Sequence, residues 1–316
     1  MSAADRQTSS HVMMIRPVAF AGNPQTRASN AFQQVDPNSV DSVNQAAALR
    51  EFDGLAHALD KAGVTVHTFE DTPDPHTPDS IFPNNWVSFH ADGTVVLYPM
   101  LAENRRLERR LDLIEALSAK HGFHVARVID LTRHEHTGRY LEGTGSLVLD
   151  RMHRVAYACV SPRTDLDVLG DFAQQLDYDI VAFEANDANG KAIYHTNVLM
   201  SVGERFAAVC LSAIREDERD GVLNQLRGGG RVVVDLSHEQ MNSFAGNMLE
   251  LGSSLTGSVI AMSEQARGAL TAEQRATLES HAGPIVATPI PTIEKLGGGS
   301  VRCMLAELHL PMKKRL

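Results

Sequence analysis

Only three cysteines occur among 316 residues, too few for a disulfide framework to hold the fold. Basic charge is also scarce: 29 Lys and Arg against 39 Asp and Glu leave a net charge of −10, which argues against a partner bound through its phosphate backbone. No apolar run approaches the roughly 20 residues of a membrane span. The first ten residues are polar and lack the apolar stretch of a secretory signal. Residues 1–10 therefore read as a disordered tail, and the expected location is cytoplasmic. Low-complexity segments and interdomain linkers are missing too. His134-Glu135-His136 puts alternate histidines on one side of an extended chain, but no Cys or His pattern with zinc spacing accompanies it, so no metal is expected.

What is present is ordinary hydrophobicity, 43% of residues, enough over this length for a large core, and it is laid out as a repeat. Ile81 to His90, a turn at Asp92-Gly93 and Thr94 to Tyr98 predict a β-hairpin with a primed turn. Leu107, Leu111, Ile114 and Leu117 recur at spacings of three and four, predicting a helix over 104–121. Gly122 ends it, and 124–130 returns as a strand. The order hairpin, helix, strand recurs over 146–160, 165–176 and 179–184; over 198–213, 216–226 and 231–236; and over 247–260, 264–281 and 284–288. Two half-units remain, strand 12–18, helix 46–62 and strand 64–69 near one end and strand 300–308 near the other.

These halves complete each other, since pairing the last strand with the first hides two open sheet edges. The expected fold class is α/β, a five-bladed pseudo-symmetric propeller whose first and last strands close one blade, forming a single catalytic domain over 11–316. A repeat of about 50 to 60 residues fits five units better than two α/β lobes. The polar stretch 22–42 is the one connection longer than ordinary loops, and residues 23–32 within it are a candidate lid.

Equivalent points of successive units carry Asn85, Glu142, His195 and Cys303, so a ring would aim them at one axis. Cys303, in GGGSVRC, follows a glycine triplet that lets the backbone approach a ligand closely, and it is the candidate nucleophile. Cys159 and Cys210 lie deep in apolar strands and read as core. A thiol needs a basic neighbour to act at neutral pH. His195, in YHTN, is placed to be that neighbour and has the chemistry both to protonate a leaving amine and to activate water. Glu142, in LEGTGS, is followed by glycines that clear space for a ligand.

DSIFPNNWVSFH from Asp79, EGTGSLVLDR from Glu142, SPRTD from Ser161, HTNVLMSVG from His195, NSFAGNMLEL from Asn242 and GGGSVRCMLAE from Gly297 resemble, in order, the motifs of one superfamily. It is the amidinotransferase and arginine deiminase superfamily, the penteins, and the likeness is greatest to its citrulline-utilisation hydrolases. The resemblance spans nearly the whole chain. It implies a five-bladed α/β propeller, no metal or organic cofactor, and a catalytic constellation of Cys303, His195 and Glu142. It also implies Arg163 as the clamp for a substrate α-carboxylate, a small-molecule substrate, and neither nucleic acid nor membrane as partner.

Members acting on guanidinium groups typically carry Asp where this chain has Asn85 and Asn197. A guanidinium offers only donors and a positive charge, which buried carboxylates match. A ureido group is neutral and its oxygen needs a donor, which Asn provides and ionised Asp does not. The expected reaction is therefore citrulline to ornithine, ammonia and carbon dioxide. Arginine or methylarginine hydrolysis and amidino transfer use the same thiol and stand as alternatives, as does a non-catalytic pentein that binds a macromolecule.

Overall fold

The structure, a computed structural model, describes residues 6–34 and 40–313. Among the described residues there are five three-stranded sheets, each built on one plan. Two strands pair antiparallel and a third pairs parallel with the second, as in Val87–Phe89, Thr94–Leu97 and Arg127–Asp130. A parallel neighbour cannot be reached through a tight turn, so a helical crossover separates the last two strands. The plan repeats in Val148–Asp150, Val155–Cys159 and Asp179–Phe183, then in Met200–Val202, Phe206–Val209 and Val232–Asp235. It repeats again in Leu249–Ser253, Gly257–Ser263 and Ile285–Thr288. The remaining sheet joins the chain's two ends: Ala306–Glu307 pairs antiparallel with His11–Arg16, which pairs parallel with Thr65–Glu70.

The crossover helices follow from local chemistry. Asp165 caps Leu166–Leu176 by accepting from the Asp167 and Val168 N–H groups at 2.9 and 3.3 Å, and Val168, Leu169, Phe172 and Leu176 form its buried stripe. The helix expected over 104–121 is instead two, Glu103–Arg106 and Leu111–Ala119. Leu107 and Leu111 are left half-exposed, because the break turns Arg105 inward to a buried partner, Glu108. The helix expected over 264–281 likewise divides into Glu264–Ala269 and Ala272–Ala282, where Thr271 starts a new capping box with Gln274.

Three further expectations are corrected. The turn at Asp92-Gly93 is not primed: among its residues only Gly93 has positive φ, while the Asp92 carboxylate accepts from Thr94 N and Oγ1 at 2.9 and 2.8 Å. The strand expected over 300–308 shrinks to Ala306–Glu307, preceded by a 3₁₀ turn at Val301–Met304. The tail expected over 1–10 lies outside the described residues for 1–5. Over 6–10 the chain is packed, with Gln7 and Ser9 buried.

Candidate active site

The first strand of each sheet is entered through a short turn. Four of these are helical, Pro83–Asn85, Gly143–Ser146, Thr196–Leu199 and Val301–Met304, and in the fifth Asn247 N bonds to Phe244 O at 2.9 Å. The turns meet because glycine lets their backbones touch. A Cβ on Gly143 would collide with Asn84 O, one on Gly145 with Asn85 Nδ2 and His195 Nδ1, and one on Gly246 with Val198 O. The glycines after Glu142 thus make room for neighbouring turns rather than for a ligand. Gly297 and Gly299 similarly accommodate the Phe82 ring.

Cys303, His195, Asn85 and Arg163 line one small cavity with Asp79, Arg105 and Tyr194. His195 is buried and its Nε2 lies 2.8 Å from Glu142 Oε2. Burial pushes the imidazole down to about 4, against the raising influence of Glu142. The ring is therefore neutral at pH 7, with Nε2–H donating to the carboxylate. Its Nδ1 has no hydrogen-bond partner among the described residues and keeps a lone pair to accept a proton.

Glu142 is fully buried. Burial opposes its ionisation, but Arg163, His195 and Arg105 outweigh that and hold the carboxyl well below the usual carboxylate range. Its Oε1 accepts from Leu101 N at 3.1 Å, and Oε2 accepts from Arg163 Nη1 at 3.1 Å as well as from His195.

Three buried polar atoms here have no partner among the described residues: Asn85 Nδ2, Asn197 Oδ1 and Asp79 Oδ1. The Asn85 amide is oriented without ambiguity. Arg105 Nη1 donates to Asn85 Oδ1 at 2.9 Å, and a guanidinium can only donate, so the NH₂ end must face away from it. Asn197 places Nδ2 3.5 Å from Cys303 Sγ. Arg105 is itself fixed by a two-pronged pair with Glu108, both bonds 2.9 Å.

Arg163 stacks on the Tyr194 ring at 4.9 Å and reaches the 22–34 segment, donating to Ser29 Oγ at 2.7 Å and Thr26 O at 3.3 Å. That segment is fastened over the cavity by Asn30 Nδ2 to Gly298 O at 3.2 Å and by Asn23 Nδ2 to Asp79 Oδ2 at 2.8 Å. The space beneath is about 20 Å³, room for about one water.

Asp79, Arg105, Tyr194 and Asn247 escape sequence reasoning. Arg105 stands in ENRRLERR, which reads as a solvated helix face, and Asp79 merely opens a motif. Asn247 occupies the same phase as Cys303 and carried the only usable signal. Cys159, whose thiol burial pushes up to about 12, and Cys210 are core residues. His134, Glu135 and His136 lie on a 3₁₀ turn, where Glu135 bonds Arg109 and His134 bonds Asp171.

The family described as N,N dimethylarginine dimethylhydrolase, eukaryotic, matches the chain over residues 16–310. None of the curated proteins matches it. Among solved structures the chain is similar to apo ArgZ, an arginine dihydrolase from the ornithine-ammonia cycle in cyanobacteria, with TM-score 0.72 and 18% identity over 96% of this chain. It spans 41% of that ArgZ chain. It also resembles the product-bound N-terminal domain of ArgZ, with TM-score 0.72 and 18% identity over 95% of this chain and 99% of that one. A variant of DDAH from Pseudomonas aeruginosa, complexed with citrulline, has TM-score 0.65 and 14% identity over 96% and 100% of the two chains. At these identities the likeness shows the fold.

Proposed function

We propose that the chain, which belongs to the N,N-dimethylarginine dimethylhydrolase family of the pentein superfamily, is a C–N hydrolase acting on a ureido amino acid, citrulline foremost, to give ornithine, ammonia and carbon dioxide. We read its five sheets as blades closing around one axis, on the strength of the antiparallel pairing of Val12 with Glu307 and Met13 with Ala306, with residues 11–316 as one catalytic domain.

The observation that carries the substrate reading is the unpartnered pair Asn85 Nδ2 and Asn197 Oδ1. One is a donor and the other an acceptor, and a urea needs both: its oxygen accepts and its N–H groups donate. A guanidinium offers donors alone and would leave the Asn85 N–H unmatched. At the far end of the substrate, Asp79 Oδ1 suits an α-ammonium, and Arg163 suits an α-carboxylate once Ser29 and Thr26 release it.

In this mechanism His195 Nδ1 takes the Cys303 proton as the sulfur attacks the ureido carbon, and returns it to the departing nitrogen. Loss of the δ-amine leaves an S-carbamoyl enzyme. The imidazole then deprotonates a water, whose attack releases carbamate and regenerates the thiol. Carbamate breaks down to ammonia and carbon dioxide. Glu142 is a positioning residue that orients the imidazole, because its oxygens are already engaged by Leu101 N, Arg163 Nη1 and His195 Nε2.

A second reading, hydrolysis of a guanidino group, is favoured by the family match and by the unpartnered carboxylate oxygen of Asp79. Incubating the purified protein with citrulline, arginine and dimethylarginine, and measuring ornithine, citrulline and ammonia, separates the two. Turnover of arginine with none of citrulline would overturn the ureido reading.

A further inference from the structure

Cys303 Sγ has a second amide beside it. Asn247, fully buried in the turn before Leu249–Ser253, places Nδ2 3.4 Å and Oδ1 3.8 Å from the sulfur. Its orientation is locked at both ends. Nδ2 donates to the Asn197 carbonyl at 2.9 Å, and Oδ1 accepts from the Arg302 N–H at 3.1 Å. A flipped amide would oppose oxygen to oxygen and N–H to N–H, losing both bonds. One amide hydrogen is thus committed to Asn197 O, and the other is left for Sγ.

A neutral thiol is a weak acceptor, whereas an anionic sulfur is a strong one, so a fixed N–H donor gains most when the sulfur carries charge. We infer that Asn247 is a catalytic residue whose locked carboxamide donates to Cys303 Sγ, favouring the anionic nucleophile and fixing its direction of attack. Cys303 is the nucleophile on the reading proposed for this site, and Asn247 deepens that reading. Throughout the reaction Asn247 neither gains nor loses a proton. The thiol proton goes to His195 Nδ1, the S–C bond forms, and the proton leaves with the expelled amine. Asn197 Nδ2 is a second donor to Sγ, at 3.5 Å, but its carbonyl end is unpartnered, whereas both ends of the Asn247 amide are held.

Because Asn247 also holds the Arg302 N–H, a purely structural role must be separable. Asn247→Asp keeps the volume and the acceptor for Arg302 but removes both amide hydrogens, and Asn247→Ala removes both ends. The readouts are the second-order rate of Cys303 alkylation by iodoacetamide at pH 7, followed by intact mass against a Cys303→Ala control, together with citrulline kcat and KM and thermal melting. The expected result in both variants is alkylation slowed at least about tenfold and kcat lowered about 10²-fold, with KM changed less than about threefold.

Wild-type alkylation and kcat in Asn247→Asp would overturn the inference, even if Asn247→Ala melts early or fails to fold. Turnover retained by Cys303→Ala is a different result, and it would remove the nucleophile itself.

Discussion

Arg105 decides what Asn85 offers to a ligand, because a guanidinium cannot accept and therefore holds the amide oxygen on its own side. In Asn85→Asp one oxygen keeps the Arg105 bond, and the other replaces the unpartnered N–H. A urea oxygen then meets an acceptor. The cost is about 1–3 kcal/mol, so kcat/KM for citrulline should fall about 10- to 100-fold while the ratio of arginine to citrulline turnover rises. An unchanged ratio would contradict contact between Asn85 and the urea. The imidazole makes a second test. His195 is lowered from 6.5 to about 4 chiefly by burial, so the neutral base survives mild acid and the acid limb of kcat/KM should lie near pH 4 rather than 6.5. The sign for stability follows from the same shift. The unfolded chain binds the proton first, so this contribution is complete above pH 6.5 and is lost as pH falls through 4. Glu142, depressed as well, acts in the same direction below its unfolded value. Melting temperature should therefore drop across that window in the wild type and drop less in His195→Ala. Phase within the repeat, together with the family resemblance, brought Cys303, His195, Glu142 and Asn85 to attention. Arg105 stayed hidden because its burial depends on a helix break that no spacing announces.

At the scale of elements, the short turns set the geometry, and two glycines in one of them act differently. Gly143 has φ +46 and sits against the Asn84 carbonyl, so Gly143→Ala strains the backbone and opposes two turns that must touch. It should destabilise by about 2 kcal/mol or more. Gly145 has no such φ, and an added methyl there would meet the Asn85 amide and lie 2.7 Å from His195 Nδ1. Gly145→Ala should thus retain most of its stability in urea titration yet lose at least about 10²-fold in kcat, as expected when reacting groups are displaced. Equal effects of the two variants on stability and on rate would contradict this division. Strands and crossover helices were legible because apolar alternation and capping residues such as Asp165 are local signals. The turns were not, since GTGS and TNVL carry no periodicity, and their helical form is set by the neighbouring turns they pack against. The chain from 300 reads as one apolar strand for the same reason, although Val301–Met304 coils to place Cys303.

Bracing between sheets is a property of the whole chain, and Gln7 bears on it as much as the terminal strand does. Its Nε2 donates to Leu149 O and to Val202 O, both at 2.9 Å, and its Oε1 accepts from Arg151 N at 2.8 Å. One side chain near the chain's start therefore ties together two sheets, through their strands Val148–Asp150 and Met200–Val202, far from its own neighbours in sequence. Ser9 adds a bond from Oγ to Leu308 O at 2.6 Å, fastening the same segment to the last strand. A polar run of ten residues reads as solvated tail because its partners, backbone carbonyls at the ends of distant strands, leave no trace in composition. Gln7→Ala would strand two buried carbonyls and one N–H, at about 1–3 kcal/mol for the group of bonds, and lower the melting temperature by at least about 2 °C. Since none of these bonds touches Cys303 or His195, kcat well below the melting range should stay within about twofold of wild type. If Gln7→Ala melts like the wild type, the segment does not brace the sheets. If it loses activity without loss of stability, the brace also sets the position of the nucleophile, through the Arg302 and Glu307 side chains, which line a second small cavity together with Gln7.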